Sequence, residues 1–207
     1  MFSGAKLIIM FSWRFYFFST FAKTFFSMKN VLFTLVLMIM TTICANSQNT
    51  KVLVVYYSWG GNTRVVAEKV KAQLNADIVE IIPETAYPTD YSECVAQARK
   101  ETKENFRPAI KTKVENLGDY DVVLVGTPNW CSTIAPPVAT FFEQNKFNGK
   151  KVALFVTHGG GGLSRCESDM RNIVSNAYFL KSGVFSGSKV ASSDDDIAKW
   201  IKEIGLK

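Results

Sequence analysis

Residues that common enzyme sites require are scarce in this sequence. The 207-residue chain has one histidine, His158, and four cysteines. With a single histidine, neither a multi-histidine metal site nor a Ser-His-Asp site is indicated, and the Gly-x-Ser-x-Gly turn of esterases is absent. The first strand-to-helix loop also lacks the nucleotide patterns Gly-x-x-x-x-Gly-Lys and Gly-x-Gly-x-x-Gly. We predict no metal site, and we assign no catalytic residue.

Acidic residues are missing from one part of the chain. Residues 1–47 contain no Asp or Glu but hold four of the 24 basic residues, which leaves 20 basic against 18 acidic residues in the remainder. That remainder has a balance near +2 with its charges mixed along the sequence. Nucleic-acid binders concentrate basic residues in a stripe or along a helix. We therefore expect no nucleic-acid partner.

The N-terminal segment has the pattern of a secretory signal. Lys29 precedes an apolar run at about 31–43, and Ala45 and Ser47 are small residues suited to a signal peptidase. The run is shorter than the ~20 apolar residues of a spanning helix, so an uncleaved membrane anchor is the alternative. We expect export, most simply to the periplasm. The predicted division is a targeting region (1–47), its signal peptide (about 28–47) and one domain (48–207).

The rest of the chain alternates strand-like and helix-like segments. Continuous runs of Val, Leu and Tyr, such as residues 51–57, are typical of parallel strands buried on both faces. The predicted strands are 51–57, 77–82, 121–126, 151–157 and a fifth within 177–190. The predicted helices are 62–74, 90–105, 136–143, 165–175 and 194–204. Strands separated by helices indicate an α/β fold with a doubly wound, five-stranded parallel sheet in a three-layer αβα arrangement.

The loop after the first strand has the composition of an anion site. It reads Ser58-Trp-Gly-Gly-Asn-Thr63, and the helix begins within it. Glycines allow close approach of the backbone, while the free amides and dipole of a helix start favour an anion. We expect Asn62 to cap the helix. An ordinary Gly-Gly turn is the alternative.

Two further strand ends carry unusual loops. The loop after the third strand, 126–131, offers backbone polar groups and the indole of Trp130, which can stack on a flat ring or cap the core. The loop after the fourth strand, 157–162, has four consecutive glycines that permit close approach to a ligand. We expect His158 to be a hydrogen-bonded loop residue. Ligands of doubly wound sheets bind at the carboxyl ends of the strands, where all three loops lie.

Together these motifs resemble the flavodoxin family. Ser-x-x-Gly-Asn-Thr follows the first strand, Gly-Thr-Pro-x-Trp the third and Thr-x-Gly-Gly the fourth, while the segment from Tyr87 to Tyr91 resembles the bacterial flavodoxin-like branch. The similarity covers about residues 50–207. It implies FMN as cofactor. Its phosphate would be held by Ser58, Gly60, Gly61, Asn62 and Thr63, and its ring lined by Thr127, Pro128, Asn129, Trp130, Thr157, Gly159, Gly160 and Gly161.

The resemblance implies a redox function. FMN would shuttle electrons, and the protein would act as a carrier or as a reductase of a small, quinone-like acceptor. Its partner would be a redox protein or a small molecule. The acidic surface that steers flavodoxins to basic partners is missing, so we do not expect the same partners. A non-catalytic binding module that keeps the fold is the alternative.

Three cysteines remain after the predicted signal peptide. Export permits disulfides, and Cys131 and Cys166 both belong to segments near the predicted cofactor. We hypothesise a disulfide between them; two unpaired thiols are the alternative. Many flavodoxins have a glycine beside the flavin, but residues 131–134 contain none. Because a side chain makes positive φ costly, we do not expect a strong preference for the one-electron reduced flavin.

Overall fold

The computed structural model describes residues 50–207. The predicted targeting region and signal peptide lie outside these residues. Within 50–207 no helix has the length and apolar character needed to cross a membrane. The strands are β1 (Val52–Tyr56), β2 (Asp77–Glu80), β3 (Val122–Trp130), β4 (Thr133–Ile134), β5 (Lys151–His158), β6 (Tyr178–Phe179) and β7 (Gly183–Ser186). The helices are α1 (Asn62–Leu74), α2 (Tyr91–Lys103), α3 (Pro136–Gln144), α4 (Cys166–Ile173) and α5 (Asp194–Glu203), with 3₁₀ turns at Leu117–Asp119 and Gly187–Ser192.

The strands form one sheet in the order β2-β1-β3-β5-β6, and these neighbours are parallel. From β1 the chain passes to β2 on one side and then to β3 on the other. The carboxyl ends of β1 and β3 therefore flank the point where the strand order reverses, which is where such sheets bind ligands. The predicted doubly wound parallel fold is confirmed.

The number of strands differs from the predicted five. The sheet has seven strands. One of the two additional strands arises because the region predicted as the fifth strand is divided into β6 and β7, both of which pair with β5. Phe179 lies opposite Val152 and Gly183 opposite Phe155, so three residues of this region face two of β5. One extra residue breaks the ladder as a β-bulge does.

The second addition to the sheet is an unpredicted hairpin. Strand β3 continues beyond Gly126 to Trp130, and the two residues of β4 pair with its end in antiparallel fashion. Most of the segment predicted as the second loop is therefore extended strand. We call residues 129–134 the β3–β4 hairpin.

The start of α1 also differs from the prediction. Gly61 is the N-cap residue, with φ of 89°, and Asn62 is the first helical residue. Glycine reaches this positive φ without the steric cost that a side chain would bring. The expectation that Asn62 caps the helix is wrong. By contrast, Asp90 caps α2 by accepting a hydrogen bond from the Glu93 amide at 3.0 Å.

Apolar clusters cover both faces of the sheet. Leu53 and Val55 belong to one cluster, whereas Val52 and Val54 belong to the other. Alternate residues of a strand point to opposite faces, so a continuous apolar run is required when both faces are covered. This arrangement confirms the three-layer αβα architecture.

Candidate functional site

The three loops contact one another at the carboxyl edge of the sheet. The Thr63 and Thr157 hydroxyl oxygens, from the first and third loops, are 2.8 Å apart. The Asn129 side chain on the hairpin donates to the carbonyl of Gly162 at 2.8 Å. The structure therefore brings together the loops that the sequence predicted separately.

The first loop presents unused hydrogen-bond donors. The first hydrogen bond of α1 runs from the Val65 amide to the carbonyl of Gly61 at 3.1 Å, so the amides just before Val65 have no acceptor within the helix. The Ser58 hydroxyl is buried and has no partner among residues 50–207. A β-carbon added at Gly60 or Gly61 would have no atom within 4 Å. Donors without protein acceptors, beside glycines that leave space, suit a phosphate group.

Three of the hydroxyl groups predicted to lie in the site already form hydrogen bonds with other groups of the protein. Thr63 and Thr157 are 1% and 4% exposed and bond each other. The hydroxyl of Thr127 is fully buried, accepts from the Ala135 amide at 3.0 Å and donates to the Pro128 carbonyl at 2.9 Å. These threonines shape the site, and their backbones border it. Their hydroxyls hold the loops in place.

Asn62 lies at the edge of the first loop. Its side-chain amide nitrogen lies 2.7 Å from the position that a β-carbon on Gly187 would take. The 3₁₀ turn after β7 therefore approaches α1 closely at this point, and a larger residue at 187 would displace Asn62. Gly187 was missed by the sequence analysis because its contact is made between distant segments.

The glycine-rich third loop is held by hydrogen bonds at its two ends. The Gly160 amide donates to Nδ1 of His158 at 3.0 Å, so His158 is hydrogen-bonded as expected, but it is the last residue of β5 and not a loop residue. The Ser164 hydroxyl donates to the Gly161 carbonyl at 2.7 Å. Added β-carbons at Gly159 and Gly160 would meet no atom within 4 Å. The loop thus leaves room for a ligand next to its backbone.

Trp130 belongs to a partly buried aromatic cluster. Its ring is edge-on to those of Tyr57 and Tyr87, with centroids 5.5 Å and 4.9 Å away. The Tyr87 hydroxyl donates to the buried Glu101 carboxylate at 2.5 Å. Burial, followed by the hydrogen bond to Glu101, raises the pKa of Tyr87. This cluster orients the indole, so Trp130 both caps the core and reaches the site.

A cavity of about 370 Å³ lies beside the predicted ring-binding residues. Helix α2 forms one wall and the β3–β4 hairpin another, and Trp59 links them to the first loop. The Trp59 indole donates to the Pro88 carbonyl at 2.8 Å. The sequence analysis missed the residues of α2, although their helical spacing could have identified the stripe. The lining residues are Trp59, Tyr91, Cys94, Val95, Ala98, Arg99, Asn129, Trp130, Cys131 and Ser132.

The tip of the hairpin has an uncommon backbone conformation. Cys131 and Ser132 have φ values of 51° and 68°. Because Trp130 pairs with Thr133, only two residues connect the strands, and two-residue hairpin loops commonly require positive φ at both. Each such residue costs about 1–2 kcal/mol relative to its right-handed conformation. Positive φ thus occurs here without a glycine, contrary to the assumption made from the sequence.

All three cysteines of residues 50–207 are free thiols, so the structure does not contain the hypothesised disulfide. Cys131 is exposed, whereas Cys166 is completely buried. Burial, with a smaller contribution from Asp169, raises the pKa of the Cys166 thiol to about 12. Within the same residues, no group of three or more His, Cys, Asp or Glu side chains is arranged to hold a metal ion.

This combination of a doubly wound sheet with three loops meeting at its reversal point defines the class of protein. The family model for flavodoxin matches residues 51–204. The chain belongs to the flavodoxin family.

Curated relatives match part of the chain. A protein of Cupriavidus metallidurans named NAD(P)H dehydrogenase (quinone) is 32% identical over 126 residues, which are 54% of this chain and 60% of that protein. A protein of the same name from Caulobacter vibrioides is 31% identical, over 53% of this chain and 59% of its own length. The chain thus spans about three fifths of these relatives.

Several solved structures resemble this chain over nearly the whole of their own length. A protein of Bacteroides eggerthii assigned as a flavoprotein is 29% identical with a TM-score of 0.67, covering 76% of this chain and 99% of that one. A flavoprotein of Lactobacillus acidophilus, solved in complex with FMN, is 23% identical with a TM-score of 0.59, covering 73% and 98% of the two chains. The second likeness establishes the shared fold.

Proposed function

We propose that residues 48–207 bind FMN at the carboxyl edge of the sheet and transfer electrons through it. The observation that carries the proposal is the first loop, which combines the partnerless Ser58 hydroxyl, the free amides before Val65 and the open space at Gly60 and Gly61. A buried hydroxyl without a partner costs about 1–3 kcal/mol. An anionic acceptor would remove that cost.

Each loop has its own task in this proposal. The first loop holds the phosphate through backbone amides and Ser58. Asn129, Trp130 and the glycines of the third loop border the flat ring, and the bonds from Asn129 to Gly162 and from Gly160 to His158 fix their spacing. FMN, when bound, supplies the one- or two-electron chemistry. The chain's own residues bind it, orient it and limit its exposure to water.

The acceptor in this proposal is a small molecule of the quinone type. Two observations support it: the curated relatives are named NAD(P)H dehydrogenase (quinone), and a cavity of about 370 Å³ adjoins the predicted ring-binding residues. By analogy with those relatives, the donor is a nicotinamide nucleotide. The nearly neutral balance of 20 basic and 18 acidic residues gives little electrostatic steering toward a basic partner protein. A carrier role, passing electrons between proteins, is the second form of the same redox proposal.

The first test is an FMN titration followed by absorbance and fluorescence. The purified chain should bind FMN and keep it through gel filtration. Ser58→Ala should weaken binding about tenfold, in the range of a lost hydrogen bond to a charged group, without lowering stability. Ser175→Ala is the matched control, because Ser175 is exposed and precedes β6 at the opposite edge of the sheet. Failure of the wild-type chain to bind FMN would overturn the proposal.

Turnover assays separate the forms of the proposal. A reductase oxidises NADH or NADPH only when both FMN and a quinone are present. A carrier binds FMN and undergoes reversible reduction, but it shows no nicotinamide oxidation by itself. A non-redox binding module retains neither flavin nor reversible reduction, and that outcome would contradict both redox forms.

We also propose that the domain functions after export, most simply in the periplasm. The support is the sequence pattern of Lys29, the following apolar run and the small residues at 45–47. N-terminal sequencing of the native protein should give a start near Gln48. A native protein that still carries residues 28–47 would instead support the membrane anchor.

A further inference from the structure

A second cavity, of about 570 Å³, lies among α2, α3, α4 and β4, on the far side of the β3–β4 hairpin from the proposed ring-binding residues. Asn129 to Ser132 line the 370 Å³ cavity, whereas Thr133 and Ile134 line this one. The hairpin therefore separates the two. The new cavity contains none of the residues assigned to FMN.

Two arginine and two acidic side chains line this cavity. Glu143 already accepts from Arg107 at 2.7 Å, and Asp169 accepts from the Thr133 hydroxyl at 2.5 Å. Arg165 keeps its donors, because its side chain is 64% exposed and its Nε lies 3.9 Å from the nearest Asp169 carboxylate oxygen, too far for a hydrogen bond. The Arg165 guanidinium is therefore available to an anion.

An independent feature points to a ligand here. The Thr102 hydroxyl on α2 is buried and has no hydrogen-bond partner among residues 50–207, and Thr102 lines the cavity. Among the described residues, only one other side chain has a buried polar atom without a hydrogen-bond partner: Ser58, in the proposed phosphate loop.

The size and floor of the cavity define the ligand further. About 570 Å³ is within the range of small-molecule sites and exceeds what a bare inorganic anion fills. Apolar side chains form the floor: Ile134, Pro136, Ala139 and Ile173. We propose that this cavity is a second ligand site, which takes an organic monoanion with an apolar body, such as an aromatic carboxylate. Arg165 pairs with the carboxylate, and the Thr102 hydroxyl adds a hydrogen bond.

The proposal is tested by equilibrium dialysis of the full chain against 2-naphthoate. Uncharged 2-naphthamide serves as the matched probe, because it keeps the ring system and removes the charge. We expect saturable binding of the naphthoate below about 1 mM, and binding of the amide at least about tenfold weaker, as for the loss of one charge-assisted contact. FMN should not compete, since its proposed residues line the other side of the hairpin.

Two variants locate the binding. Arg165→Gln should weaken naphthoate binding about tenfold, whereas Arg171→Gln should leave it unchanged. Arg171 is the matched control because it lies on α4, which Arg165 immediately precedes, but pairs with Glu167 outside the cavity. Thr102→Val keeps the side-chain shape; it should weaken naphthoate binding while leaving the chain at least as stable to urea.

The proposal is overturned by any of three results. These are no saturable binding below about 1 mM, equal binding of the acid and the amide, or equal losses in Arg165→Gln and Arg171→Gln. Competition by FMN would place the naphthoate in the cofactor site and would likewise contradict a second site. Because the probe, the residues and the readout differ from those of the FMN titration, the two proposals can fail separately.

Discussion

Glycines at the edge of the sheet and glycines inside it serve opposite purposes. Around Gly60, Gly61, Gly159 and Gly160 a β-carbon would meet no atom within 4 Å. At Gly126 in β3 it would lie 2.3 Å from the Phe155 ring, and at Gly183 in β7 it would lie 2.9 Å from that of Trp200. Inside the sheet the missing side chain makes room for the protein's own aromatic rings. At the edge it leaves room that the protein does not fill.

The same contrast holds for hydroxyl groups. Thr63, Thr127 and Thr157 are buried and bonded to protein atoms, whereas Ser58 is buried without a partner. A folded protein normally satisfies its buried polar groups. The difference therefore indicates which part of the edge is completed by the fold alone and which part is left with an unsatisfied hydroxyl.

The largest expected effect is that of Gly126→Ala. Its β-carbon would overlap the Phe155 ring at 2.3 Å and the Tyr56 β-carbon at 2.9 Å, so overpacking should cost about 3 kcal/mol. Urea denaturation measures the loss. Gly118→Ala is the control, because nothing lies within 4 Å there, and it should change stability by no more than about 0.5 kcal/mol. Equal stabilities for the two variants would contradict the contrast between packed and open glycines.

The next effect tests the pair of threonine hydroxyls. Thr63→Val leaves the Thr157 hydroxyl buried without its partner and should cost about 2 kcal/mol of unfolding free energy. The double variant Thr63→Val/Thr157→Val removes both hydroxyls and should recover most of that loss. A double-mutant cycle by urea denaturation measures the coupling. Additive losses would show that the 2.8 Å contact contributes nothing to stability.

A smaller effect depends on pH through Cys166. Burial raises the pKa of this thiol from 9.0 to about 12, so above pH 9 the unfolded chain loses a proton that the folded chain retains. Its contribution is fully present below pH 9 and is lost as the pH rises toward 12. Between pH 8 and pH 10 the wild type should lose about 1.4 kcal/mol more than Cys166→Ala.

Denaturation of both chains at the two pH values gives this difference. Cys131→Ala is the exposed control, and it should keep the wild-type loss because Cys166 is still present. An identical pH response of the wild type and Cys166→Ala would show that this thiol is not held in its neutral form.

The smallest effect on stability is expected at the open glycines. Gly60→Ala has neither a clash nor a positive φ to oppose it, so the unfolding free energy should change by no more than about 0.5 kcal/mol. FMN binding should nevertheless weaken about tenfold, because the methyl group would occupy space that we assign to the cofactor. FMN titration and urea denaturation of one preparation measure both quantities. Unchanged FMN affinity would mean that this space is not part of the site.

Much of the fold was predictable because strong local patterns specify it. The apolar run of β5 predicted a strand at 151–157, and the structure extends it by one residue to His158. Proline in the first turn marked the start of α3 at Pro136. The division of the last strand into β6 and β7 was not predictable, because it depends on how one extra residue is accommodated opposite β5.

The candidate site was predictable at the level of its loops. The glycines and polar residues at three strand ends indicated where a ligand would approach, and the structure places those loops in contact. Which hydroxyls are free could not be predicted, since Thr63 meets a residue 94 positions away. The hairpin conformation at Cys131 was also missed, because the pairing of β4 imposes the positive φ that the side chain disfavours.

The sequence by itself thus determined the order of strands and helices, the layers they form and the edge at which the loops lie, because these follow from local periodicity and chain topology. Only the tertiary structure decided which groups at that edge remain unsatisfied. That depends on contacts between residues far apart in the chain, and such contacts leave no periodic pattern in the sequence. The distinction between Ser58 and Thr63, two polar side chains of one loop, is of this second kind.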